Sequence, residues 1–129
     1  MGGPALNDGI RRFLDEDIDG LEPLEVLLSL ERASNRAFTP TEVADRVGIS
    51  AANAERRLED LHRRQLLVRE QGAYRYAPAS TRKAGVIAEL AKVYQEERLA
   101  VIHLVSERAL KRLRSFAAAF RLRQEGRDD

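Results

Sequence analysis

The sequence predicts a mainly α fold with one small β-hairpin and a long C-terminal helix. Three observations predict it. A third of the 129 residues are charged and only 5% are aromatic, an Arg/Glu-rich balance that suits exposed helices rather than a sheet. Through residues 21–63 apolar side chains recur at helical spacing, punctuated by capping residues. From Leu66 to Tyr76 the period changes to that of strands on either side of Gln71-Gly72, a turn signal.

The length suits one domain, or one domain with an extension, and 43% hydrophobic residues can build a core. The sequence has no cysteine, which excludes disulfides, thiolate metal sites and cysteine nucleophiles. No apolar run approaches the roughly 18–20 residues of a membrane span, and no signal-peptide pattern opens the chain. A soluble, cytoplasmic protein with no membrane partner is expected. Net charge is only +1, yet it is unevenly placed. Residues 1–34 hold three basic and eight acidic side chains (−5), residues 35–78 eight and six (+2), and residues 79–129 eleven and seven (+4). The chain is acidic at its start and basic thereafter.

Residues 1–20 form an acidic N-terminal segment. Met1 to Asn7 carries Gly2, Gly3 and Pro4 and reads as a loose terminus. A short helix from Asp8 should bury Ile10, Phe13 and Leu14. The run Asp15-Glu16-Asp17-Ile18-Asp19-Gly20 matches the opening of a calcium loop. The rest of such a loop does not follow: its ninth position is Pro23 and its twelfth is Val26, where a bidentate Glu belongs. The run therefore reads as an acidic linker, with Asp19 capping the next helix and Glu22 completing a capping box. No metal and no cofactor is expected.

Residues 21–78 read as one unit. Leu21 to about Ala33 is rich in leucine and should be a buried helix. Thr39 and Pro40 open a second helix, with Glu42 placed for a capping box and Phe38 for a staple onto Val43. Gly48 ends it and Ser50 caps a third, whose Ala54, Leu58 and Leu61 share one face. Stepping about 100° per residue, the opposite face carries Ala52, Asn53, Arg56, Asp60 and Arg63, with Arg57 and Arg64 on its flank. Asn suits adenine and Arg suits guanine through paired hydrogen bonds, which makes Asn53 and Arg56 the candidates for reading bases. Arg57, Arg63 and Arg64 are candidates for holding phosphates. Arg69 and Arg75, on the two strands, could reach adjacent backbone. The same charges also admit a plain reading, since Arg56–Asp60, Glu59–Arg63 and Asp60–Arg64 are each four apart and can neutralise one another.

Residues 79–123 begin with Ser80 or Thr81 as a cap, and Gly85 is their one glycine. Ile87, Leu90, Tyr94, Val101, Val105, Ala109, Leu113, Phe116 and Phe120 recur mostly at intervals of three, four or seven. An unbroken helix of this length would run about 60 Å. Either it folds back as two pieces or a second copy covers it. A homodimer is expected, with Ile87, Leu90, Tyr94, Val101, Val105, Leu113, Phe116 and Phe120 at the interface. Residues 124–129 read as a frayed, charged tail.

Catalysis finds little support. His62 and His103 are the only histidines, and no phosphate loop or serine-centred nucleophile motif is present. An enzyme is not expected.

Helix, turn, helix and hairpin in that order resemble a winged helix-turn-helix. The likeness lies in Val43-Ala44, Gly48-Ile49-Ser50, Ala54, Leu58, Leu61 and Leu66-Leu67, and covers about a third of the chain. With the long helix that follows, the chain resembles small bacterial transcription regulators of the MarR- and PadR-like kind, and a group of short bacterial proteins of unassigned function. The resemblance implies a homodimer on double-stranded DNA, with the second motif helix in the major groove and the hairpin wing on the backbone. It places DNA contacts on Ser50, Asn53, Arg56, Arg57, Arg63, Arg69 and Arg75. Gln65 departs from the pattern, standing where a glycine often precedes the paired leucines. The other class kept open is a winged domain that binds another protein and not specific DNA.

Overall fold

The computed structural model describes residues 7–127, with side chains up to Ala119. Residues 1–6, part of the expected loose terminus, and 128–129 lie outside that range. Among the described residues, six helices and one antiparallel hairpin follow in order: α1 Asp8–Asp17, α2 Leu21–Arg32, α3 Pro40–Val47, α4 Ala51–Arg63, β1 Leu67–Glu70, β2 Ala73–Tyr76, α5 Thr81–Glu96 and α6 Arg98–Arg127. The chain is therefore mainly helical with a small two-strand sheet. Among the described residues no helix is long and apolar enough to cross a membrane.

The caps act where local chemistry puts them. Asn7 caps α1 by accepting from the Ile10 N–H, and Ile10, Phe13 and Leu14 are buried. At α3 the Thr39 hydroxyl accepts from the Glu42 N–H while the Glu42 carboxylate accepts from the Thr39 N–H. That backbone bond, aided by Arg36, holds the Glu42 carboxyl below its ordinary range. Gly48 closes α3 at φ 84°, a left-handed conformation that favours glycine. Ser50 and Ser80 cap α4 and α5 by accepting from Asn53 and Lys83 N–H groups. Gln71 and Gly72 both have positive φ, as a two-residue hairpin turn matched to strand twist requires.

One expected cap is corrected. Gly20, not Asp19, precedes α2, and no side chain caps it. Asp19 and Glu22 instead take arginines from α4, described below.

The core is a single cluster with α2 at its centre. Leu24, Val26, Leu27, Leu28 and Leu30 are all buried, and α2 touches α3, α4, α6 and β2. Phe38 joins the hairpin through a two-bond bridge with Tyr74, so α3 is tied to β2 by its leading residue.

The segment 79–123 is two helices. The break falls at Glu97 (φ −135°, ψ 56°), without glycine or proline. The acidic pair Glu96-Glu97 is ill placed at the negative end of α5 and well placed at the positive start of α6. The bend brings Val101 and Val105 into the cluster that already holds Ile87, Leu90 and Val93. Helix α6 continues to Arg127, through part of the segment expected to fray.

Two stability predictions follow from backbone and burial. Gln65 is the left-handed residue after α4, with its N–H donated to His62 O and the Leu66 N–H to Leu61 O. Its side chain is exposed, so Gln65→Gly should stabilise by up to about 1 kcal/mol and Gln65→Val should destabilise by about as much, read by thermal unfolding. The Tyr76 phenol is pushed up to about 12 by burial and by the Glu31 carboxylate. Its folded pKa exceeds its unfolded one, so its contribution is complete below about pH 10 and is lost as pH rises toward 12. Stability measured across that window should fall, with a late-titrating tyrosine seen by ultraviolet absorbance.

Candidate nucleic-acid interface

Helix α4 turns its apolar face inward and its charged face out. Ala54, Leu58 and Leu61 are fully buried against α2, α3 and β1. The Gly48-Ile49-Ser50 bend sets the first turn of α4 at the surface, where Ala51 and Ala52 are exposed. Ser50 has a structural duty, its Oγ accepting from the Asn53 N–H at 3.1 Å. The Asn53 side chain is half-exposed, and Arg56 is exposed. Arg56 forms no ion pair or side-chain hydrogen bond among the described residues. Arg63 projects from the same face two turns on, 75% exposed and only 3.5 Å from Asp60.

The remaining expected cations are engaged. Arg57 donates through Nε to Glu22 on α2 at 2.8 Å, with both side chains about two-thirds buried. Arg64 donates to Asp60 at 2.9 Å, to Asp19 at 3.2 Å and to the Glu16 carbonyl at 2.9 Å, and lies 4.0 Å from Asp17. Both are therefore held inside the fold and are not free phosphate contacts. On the hairpin, Arg69 donates to the Tyr74 hydroxyl at 2.9 Å and lies over that ring. Arg75 pairs with Glu70 across the strands at 2.7 Å. Both hairpin arginines thus have partners inside the hairpin, although Arg69 stays exposed. Glu55 and Glu59 are also exposed, so the outer face of α4 carries mixed charge.

The acidic linker explains where the cations go. Asp17 is buried and lies 3.2 Å from the Lys83 ammonium of α5. Asp15 accepts from Arg108 at 2.7 Å, and Arg112 donates to the Asp15 and Ile18 carbonyls. The three aspartates of the calcium-like run are spent on arginine and lysine from the end of α4, from α5 and from α6, while Glu16 takes part only through its backbone carbonyl.

The residues expected to pair two copies divide sharply. Ile87, Leu90, Val101 and Val105 are buried in the chain's own core and are not available to a second copy. Tyr94 is half-buried and donates to Glu25 at 3.4 Å. Leu113 and Phe116 are exposed, while the Phe120 side chain lies outside the described residues. Two residues outside the expected set are also exposed, Leu99 and Leu110. Their signal was spacing to Leu113 and Phe116, masked by the valines that alternate with them.

No family model, curated protein or solved structure matches this chain.

The division between engaged and open arginines has a direct check. Arg64→Ala strands the buried Asp17 with Lys83 alone and should cost on the order of 2 kcal/mol in denaturant unfolding. Arg56→Ala should stay within about 0.5 kcal/mol of the parent.

Proposed function

We propose that the chain is a sequence-specific DNA-binding transcription regulator of the winged helix-turn-helix kind, acting as a homodimer. Helix α4 is the recognition helix and the β1–β2 hairpin is the wing against the backbone. The observation that carries this reading is the open first half of α4, where an unpaired Arg56 and a half-exposed Asn53 stand beyond a capped N-terminus. Those two side chains have the donors and acceptors that read guanine and adenine edges. Arg63 and the exposed Arg69 supply phosphate contacts, and Ser50 serves by holding the helix start rather than by touching a base.

A second reading is favoured by the engaged arginines. With Arg57, Arg64 and Arg75 paired inside the chain, the face has few cations for a duplex, which suits a winged domain that binds another protein. Salt separates the two. About four phosphate contacts per dimer give a slope of log affinity against log salt on the order of −4. The experiment is selection of DNA from a random library, followed by titration at several salt concentrations. Arg56→Ala should cost about 1–3 kcal/mol at one base position and relax specificity there. An equal loss on every sequence would make Arg56 a phosphate contact, and weak retention blind to sequence, or none, would favour the protein-binding reading.

A further inference from the structure

Helix α6 has two apolar faces, and the chain uses only one. Val101 and Val105 are buried, Leu104 packs against the core, and Arg108 and Arg112 bind the acidic linker. About 115° around the helix, Leu99, Ile102, Ser106, Ala109, Leu113 and Phe116 fall on a second line. Their intervals are three, four, three, four and three, a heptad repeat rather than the 3.6-residue period of a helix lying on a globule. Phe120 takes the next heptad position in the sequence. Leu99 is 80% exposed, Leu113 63% and Phe116 70%, and Leu110 beside the line is 47% exposed.

We infer that this second face is a coiled-coil seam that pairs antiparallel with the α6 of a second copy. Three features choose that occupant. A heptad line specifies a helix as its partner, since a period of 3.5 keeps one seam turned toward another helix. A strip along Leu99–Phe116 is about 27 Å long, and half a helix circumference gives on the order of 500 Å² per chain. Two copies together bury on the order of 1,000 Å², which meets the threshold of a specific interface. Side-chain size and charge choose the direction. With Ala109 opposite its own copy, Phe116 faces Ile102, and bulky Leu113 meets small Ser106 offset by one residue's rise, about 1.5 Å. The same register brings Glu107 level with Lys111 of the other copy. A parallel pair would instead set the cluster Lys111, Arg112 and Arg114 beside itself. This deepens the homodimer part of the function proposed above and is independent of DNA.

The test uses the full chain in sedimentation equilibrium up to about 100 μM. The parent should be a dimer, and Leu113→Glu and Leu99→Glu should each weaken it at least about 100-fold. Both sites are exposed in the single chain, so circular dichroism should show the helix content kept. Ala118→Glu, off the seam, should leave the dimer intact. Because the chain has no cysteine, Ala109→Cys should cross-link to its own copy under mild oxidation while Ser106→Cys should not. A monomeric parent overturns both the seam and the homodimer. A dimer indifferent to Leu113→Glu overturns the seam alone. Cross-linking of Ser106→Cys as well as Ala109→Cys overturns the antiparallel direction.

Discussion

Enclosing helix α2 is the constraint from which the rest of the arrangement follows. Five of its apolar side chains are at most 3% exposed, and they do not fall on one stripe. Burying each is worth about 2 kcal/mol, so the helix needs neighbours on several sides. Helices α3 and α4, strand β2 and the start of α6 supply them. Helix α4 can cover α2 only with its Ala54, Leu58 and Leu61 face, which leaves Asn53 and Arg56 pointing away from the core. The candidate interface is the outer surface of a packing decision made on the inside.

Charge is then sorted by distance from the acidic linker. Asp15, Asp17 and Asp19 lie where α1 meets α2, and they draw in Arg64, Lys83, Arg108 and Arg112. The uneven charge of the chain is largely consumed in this way, the acidic start binding the basic remainder. Exposed pairs such as Arg63–Asp60 contribute little, because water screens them and long side chains lose entropy. The partly buried Arg64 set matters more, because Asp17 is 7% exposed and cannot turn to solvent. Arg56 stays open because α4 carries it two turns away from that linker.

Local features of the fold were legible in the sequence because their partners sit three or four residues away. The Thr39–Glu42 box, the Gly48 bend, the Ser50 and Ser80 caps and the Gln71-Gly72 turn are of this kind. Asp19 and Glu22 were not, because arginines more than 30 positions away in the chain outcompeted the nearby backbone N–H groups. A fold-back in two pieces was one of two alternatives the sequence left open, but the position of the break at Glu97 escaped, since helical spacing continues through it and no glycine or proline marks it. The same limit governs the candidate site. Asn53 and Arg56 could be placed on the outer face of α4 by counting around the helix, but that Arg57 and Arg64 are engaged depended on contacts spanning 35 to 48 residues.

Asp19 links the two proposed surfaces. One of its oxygens accepts from Arg64 at the end of α4, and the other lies 3.8 Å from Arg112 on α6. A seam on the far side of α6 therefore fixes the paired copies to the same carboxylates that anchor α4. On the proposed reading this matters for affinity. Each α4 presents only two base-reading side chains, and at about 1–3 kcal/mol each they make a weak single arm. Holding two such arms at a fixed spacing turns the second contact into an intramolecular one, which can raise avidity by about 10²–10⁴ without any new contact. A sparse recognition face is workable only if its spacing is rigid, and the Arg64–Asp19–Arg112 connection is where this fold would supply that rigidity.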